Sequence, residues 1–485
     1  MVPRSYEHLL PGLSRRTAVQ FEFYGSESNG RLDEGGMSDF DRFELAEDEI
    51  AVTPTKALFV DMLTRDINLS RAVLDLIDNS VDGARRLRPD PNASLEGLEI
   101  VIELDANHFL IRDNCGGIGI DTARRYAFRF GRPKDMPATP GSVGQFGVGM
   151  KRALFKFGRH FEVRSTSFVD RFVLNVNVDD WEADEANWRF KFDSAEKDLT
   201  IPVEQTGTTI TVTRLRPDTA SAFGLDNFKI ALSREVQAAQ QHYIDRGLRI
   251  VFDGRTLIAT PWRLLRGEGF EPARREEQIR IEGHPPVFVR VFAGVGQSSP
   301  RQAGWYIFCN GRMVLEADQT ALTGWSALAE ADATIPKYHN QFARFRGFVF
   351  FDCEEASLLP WNTTKTGVDQ DSAIYRAALV TMIESMRPII DFLNRVDAER
   401  ESPEPERQLT KAIDRATPVR LSEVTRNGSF SYPSRVQPAG TPTTGITYKR
   451  PRDLVAELQE ALGARTAKET GEMSFDLTYK QTVGD

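Results

Sequence analysis

Residues 74–84 read Leu74-Asp75-Leu76-Ile77-Asp78-Asn79-Ser80-Val81-Asp82-Gly83-Ala84, and the rest of the chain is best read outward from them. Asp75 and Asn79 are four residues apart, so on a helix they share one face. Leu76, Ile77 and Val81 supply a buried side. An amide oxygen is a hard ligand of the kind Mg2+ takes, and a carboxylate beside it can accept a proton from an attacking water. Taken alone, the stretch reads more readily as an amphipathic helix with solvated acids.

Two further motifs follow. Arg112-Asp113-Asn114-Cys115-Gly116-Gly117-Ile118-Gly119 closes a strand-like run. A carboxylate fixed at a strand end can accept a hydrogen bond from an exocyclic amine such as that of adenine, and the glycines let the backbone turn sharply beside it. The plainer reading is a turn after a strand. Gly144-Gln145-Phe146-Gly147-Val148-Gly149-Met150-Lys151 precedes a helical pattern. Backbone N–H groups at a helix start form a phosphate cradle. A Walker A loop needs Lys directly after the last Gly and then Ser or Thr, whereas Met150 intervenes and Arg152 follows. A dinucleotide fingerprint has the order GxGxxG after a first strand. The order here is GxxGxG after a Gly-, Pro-, Ser- and Thr-rich stretch.

These three motifs, in this order and about thirty residues apart, are far more specific together than singly. The sequence resembles the GHKL superfamily of gyrase-type topoisomerases, large heat-shock chaperones, histidine kinases and MutL proteins, whose motifs read ExxxN, DxGxG and GxxGxG. The resemblance covers roughly residues 55–215. It implies a Bergerat-fold α/β sandwich, a mixed sheet with helices on one face, that binds and hydrolyses ATP with Mg2+. By resemblance Asn79 holds Mg2+, Asp113 bonds the adenine amine and Gly117 lines the base. Residues 131–149 form a lid in which Gln145, Gly147, Val148, Gly149 and Met150 offer backbone groups to the phosphates. Lys151 is a second phosphate contact, and Thr208, after Gly207, helps fix the adenine end. Pro360-Trp361-Asn362-Thr363-Thr364-Lys365 resembles the lysine loop of MORC ATPases, which makes Lys365 a γ-phosphate contact. Asn310-Gly311-Arg312 resembles a transducer segment. Two departures stand out. Asp75 occupies the place of the usual catalytic glutamate, so its carboxylate sits roughly 1–1.5 Å further back; hydrolysis is expected to be slow, with Asp78 ranked second as base. Cys115 stands where glycine is common.

Around these motifs, residues 1–47 read as a polar arm, 48–220 as the ATP-binding domain, 221–398 as an α+β transducer-like domain and 399–485 as linker and tail. Leu58, Met62, Ile67, Leu74, Ile77 and Val81 recur at helical spacing over about 52–86. Residues 98–112 read as a hairpin. Strand-like runs begin the second domain at Leu248-Arg249-Ile250-Val251-Phe252, and a helix covers about 371–398. Residues 399–452 read as an extended linker, followed by a short helix at 453–463 and a polar tail.

With 485 residues, two or three domains are expected. The net charge of −9 argues against a uniformly basic protein but leaves room for a basic groove. Arg85, Arg86 and Arg88 and the run Lys449, Arg450 and Arg452 are the places to look for DNA contact. Cys115, Cys309 and Cys353 form no CxxC pair, so neither a disulfide framework nor a zinc site is expected. No signal-peptide core and no run of 18 or more apolar residues occurs; the expectation is a cytoplasmic protein without membrane contact. No phosphoacceptor helix is legible upstream and no nuclease metal cluster downstream. What remains is an ATPase-plus-transducer module of MORC, MutL or heat-shock type: an ATP-dependent homodimeric clamp, on DNA or a protein client. The other reading is a nucleotide-dependent scaffold or chaperone-like protein with little or no hydrolysis.

Overall fold

The computed structural model describes residues 54–484 apart from 91–92, 131–139, 145–147, 327–334, 363, 434–445 and 447. The expected arm, 1–47, lies outside the described residues.

The helical pattern of 52–86 is two helices, α1 (Lys56–Arg65) and α2 (Leu69–Leu87). Asp66 ends the first and Asn68 starts the second: Asn68 Oδ1 accepts from Arg71 N at 2.8 Å, satisfying one of the unpaired N–H groups of a helix start. The break re-aims α1. Val60 and Thr64 turn inward, while Leu58 (53% exposed) and Met62 (66%) face out, contrary to the periodicity. Lys56 sets that rotation. It is buried, and its ammonium donates to the backbone oxygens of Trp181, Asp184 and Asn187, one for each of its three donors.

The first sheet is mixed and eight-stranded: β1 (Glu99–Leu104), β2 (His108–Asp113), β3 (Gly158–Thr166), β4 (Arg171–Asn177), β5 (Phe192–Glu196), β6 (Gly207–Leu215), β7 (Arg249–Phe252) and β8 (Arg255–Thr256). Their spatial order is β5-β4-β3-β6-β2-β1-β7-β8. Only the β1–β7 pairing is parallel. Burial alternates along β2, β3 and β4, so one face carries the core. There α2, α3 (Gly149–Phe157) and α4 (Asp226–Asp245) pack on the strands and on one another. The run 248–252, expected to begin the second domain, belongs here. It pairs in register with β1, Ile100 opposite Ile250, because the α4 crossover returns the chain in parallel.

A ribbon of β9 (Arg263–Arg266) and β15 (Thr417–Arg420) and a five-stranded sheet follow. The sheet comprises β10 (Ala273–Ile279), β11 (Val287–Val295), β12 (Gly304–Cys309), β13 (Arg312–Asp318) and β14 (Phe345–Asp352), ordered β10-β11-β14-β12-β13. α5 (Ala373–Ala398) covers one face. On the other, Leu264 and Val419 of the ribbon close over Phe292, Tyr306, Phe308, Phe348 and Phe350. The stretch read as an extended linker is therefore partly folded: β15 pairs with β9, and residues 428 and 431 bridge to Arg274 and Glu271. The short helix expected at 453–463 is present, and the polar tail after it is a second helix. Helices Arg452–Leu462 and Ala467–Thr482 form a hairpin. Among the described residues no helix is long and apolar enough to cross a membrane.

Candidate functional site

α2 lies between the end of β2 and the start of α3, and its polar stripe faces both. At one end Asp113 terminates β2. Its Oδ2 accepts from Ser80 Oγ at 2.6 Å, and Oδ1 accepts from Cys115 N at 2.9 Å and Thr208 N at 3.2 Å. Burial raises this carboxyl above its usual range, and the three hydrogen bonds offset that only in part. Thr208 and Ser165 share a 2.9 Å hydroxyl contact, and Ser165 Oγ accepts from Ile118 N at 2.7 Å. Gly117 follows at φ 66°, and a Cβ there would sit 2.0 Å from Thr166 O. Only glycine fits that approach. Asp113, Gly117 and Thr208 thus form one cluster. Cys115 turns its side chain into the core, so the residue in place of glycine packs inward.

Further along α2, Asp82 is buried and accepts from Val143 N and Gly144 N, each at 2.7 Å. It ties the glycine segment to the helix. Asn79 is exposed, and its Oδ1 lies 3.5 Å from where a Gly144 Cβ would be. A turn earlier, Asp75 Oδ2 lies 2.9 Å from the corresponding point on Gly149, the first residue of α3. The amide and the acid therefore both face the glycine segment. Val148 caps α3, with Arg152 N donating to its carbonyl at 2.9 Å. Met150 is buried in the core. Lys151 is buried as well, and its Nζ donates to Ala127 O at 2.8 Å; in this structure that carbonyl is its partner. Gln145, Gly147 and most of the expected lid lie outside the described residues.

The loop after β14 brings in Lys365. Its backbone is left-handed, φ 53°, in a turn braced by Asn362: Lys365 N donates to Asn362 O at 3.0 Å and Thr366 N to Asn362 Oδ1 at 2.9 Å. The ammonium lies 2.7 Å from Asp78 Oδ2 and 3.5 Å from Asp75 Oδ1. Asp78 cannot serve as the second-ranked base. It is 1% exposed, and its Oδ1 also receives Gln240 Nε2 at 2.8 Å and lies 3.1 Å from Arg312 Nε. The two acids are driven apart. Burial pushes Asp75 up, with Lys365 only partly opposing it. For Asp78 burial acts in the same sense, but Lys365 and Arg312 outweigh it and hold the carboxyl low. The two carboxyls of one helix thus sit in opposed electrostatic environments.

The turn between β12 and β13 seals the arrangement. Asn310 Nδ2 donates to Ser142 O and Cys353 O, each at 3.1 Å, and its Oδ1 accepts from Cys353 N at 2.9 Å. Its carbonyl accepts from Tyr243 OH and, at 3.1 Å, from Arg85 Nη1. Arg85 therefore serves an internal contact, whereas Arg86 and Arg88 remain exposed. Ser80, Asp82, Gln240 and Arg312 were not singled out as site residues from sequence. Asp82 was within reach, since it continues the helical stripe from Asp75 through Asn79. Gln240 comes from a distant element and carries no local signal; Arg312 lies in the segment Asn310-Gly311-Arg312, which resembles a transducer segment but points to no role at this site.

Residues 67–208 match the family described as histidine kinase-, DNA gyrase B- and HSP90-like ATPases. No curated protein matches the chain.

Proposed function

Residues 67–208 are an ATPase domain of the GHKL superfamily, and on that premise we propose that the protein binds ATP with Mg2+, hydrolyses it slowly and uses it to switch conformation as a homodimer. The observation that carries this reading is the clustering around α2: Asp113 is held ready among Ser80, Cys115 and Thr208, while Asn79 and Asp75 of the same helix look onto Gly144 and Gly149. Mg2+ commonly takes one or two protein oxygens together with substrate phosphates and water; Asn79 Oδ1 would be the protein oxygen. The ion supplies charge neutralisation on the phosphates.

In this reading Asp113 accepts the adenine amine and Thr208 braces it. The backbone of 144–149 and the start of α3 face the phosphates. Asp75, raised by burial, takes the proton of the attacking water. Gly149 supports the shorter acid, because without a side chain it lets α3 close directly onto it. Lys365, carried by the transducer-like unit, meets the γ-phosphate, so nucleotide binding is felt in the second sheet. Differential affinity for the two arrangements of that lysine is what lets ATP shift the equilibrium.

Phosphate release from wild type, Asp75→Ala and Asp75→Glu tests the enzyme reading. Asp75→Ala is expected to lose roughly a hundredfold or more, the usual range for general-base removal. Equal background release from wild type and Asp75→Ala would leave the second reading, a nucleotide-dependent scaffold with little hydrolysis. The contact of Lys365 with Asp75 favours that reading, because a paired acid is a poorer base. Light scattering with and without a non-hydrolysable ATP analogue tests the dimer. Salt-dependent retention on duplex DNA separates a DNA client from a protein client.

A further inference from the structure

The fully buried Asp78, on α2, gathers groups from three other elements: Gln240 from α4, Arg312 from the start of β13 and Lys365 from the loop after β14. Lys365 reaches the neighbouring Asp75 only at 3.5 Å, against 2.7 Å to Asp78. We propose that Asp78 and Arg312 are positioning residues that set the resting place of Lys365: Asp78 takes the shorter of the two ion pairs of the lysine and leaves Asp75 the longer one, and Arg312 keeps Asp78 paired when the lysine leaves it for the phosphates of bound nucleotide.

The physical case rests on charge accounting in a buried site. A buried carboxylate stripped of its last cation is strongly destabilising. If Lys365 were the sole partner of Asp78, its departure would be opposed by that full penalty. Arg312 is itself 1% exposed and within 3.1 Å of the same carboxylate, and Gln240 donates to it as well. The acid therefore stays partnered in either position of the lysine. The base of the lysine is fixed, because Asn362 pins its turn through Lys365 N, Thr364 Oγ1 and Thr366 N. Exchange between anions is then a movement of the side chain alone. While the lysine sits on Asp78 it is withheld from the phosphate, and apparent nucleotide affinity is lowered by the fraction of chains in that state.

The inference rests on the ATP-binding reading above, and it makes the two substitutions act with opposite sign. The measurement is equilibrium binding of a fluorescent non-hydrolysable ATP analogue with Mg2+. Asp78→Asn removes the nearer competing charge and leaves only the longer contact with Asp75, so the analogue binds tighter, by about threefold or more. Asp78→Glu keeps the charge and restores wild-type binding. Arg312→Gln leaves Asp78 dependent on the lysine, and the analogue binds roughly tenfold more weakly. In a Lys365→Met background both binding shifts disappear. A purely structural role predicts weaker binding in both variants and shifts that persist without the lysine; either result overturns the inference. Should Asp78→Asn fail to fold, Arg312→Gln with and without Lys365→Met decides alone. Wild type that does not bind the analogue sinks the ATP reading itself, whereas wild type that binds without these opposed shifts sinks only this inference.

Discussion

At the scale of the residue, Asp113 and Gly117 make separable demands. Asp113 is held by one hydroxyl and two backbone N–H groups. In Asp113→Asn the amide oxygen still accepts from the backbone, and the amide nitrogen meets the Ser80 hydroxyl, which can itself accept. The fold is expected to survive while ATP affinity falls about 10- to 100-fold, the worth of one hydrogen bond to a charged acceptor. Isothermal titration alongside a thermal melt separates the two. Gly117→Ala strikes the fold instead, since a Cβ would meet Thr166 O at 2.0 Å from a left-handed backbone. Loss of about 1–3 kcal/mol is expected, read as a lower denaturant midpoint.

Elements show how a helix can carry residues that the motif groups together but the packing separates. In α3, Gly149 touches the Asp75 carboxylate, whereas Lys151, two positions later, runs into the interior toward Ala127 O. Burial lowers the Lys151 amine from 10.5 to about 8. A base with a depressed folded-state value binds fewer protons folded than unfolded between those limits, so stability rises with pH across roughly 8 to 10.5 and the penalty is complete below. Chemical denaturation of wild type across this window is expected to show that rise, and Lys151→Met is expected to lack it. If Lys151 were a phosphate contact in this arrangement, the same substitution would weaken ATP binding as well.

For the whole molecule, Asn310 stands among the polar groups that join the two sheets, beside the core they share. Asn310 joins Ser142 of the glycine segment, Cys353 after β14, and, through its carbonyl, Arg85 and Tyr243. Its left-handed backbone, φ 48°, suits asparagine better than most residues. Asn310→Ala removes three side-chain hydrogen bonds, worth about 3 kcal/mol together at ~1 kcal/mol each. Calorimetry is expected to resolve a single transition for wild type and two for the variant, the units built on the two sheets melting apart. A single transition at an unchanged temperature would show that the coupling lies elsewhere.

The motifs around Asp75, Asp113 and Gly144 were legible because each is local: helical spacing, a turn at a strand end and a glycine run before a helix are properties of neighbouring residues. That is why the resemblance to the superfamily over roughly residues 55–215 could be read from the order of three short segments, and the family match covers residues 67–208. Periodicity, however, defines a face only relative to the helix's own axis, and it does not say what meets that face. So Leu58 and Met62, apolar at helical spacing, point outward once Lys56 is caged by three carbonyls. Asp78 and Asp75, three residues apart, part ways because Arg312 and Gln240 arrive on one and Gly149 on the other. The strand 249–252 joins the first sheet because β1 offers the free edge. Tertiary contact decided these, since partners brought together from more than seventy residues away leave no mark on local sequence.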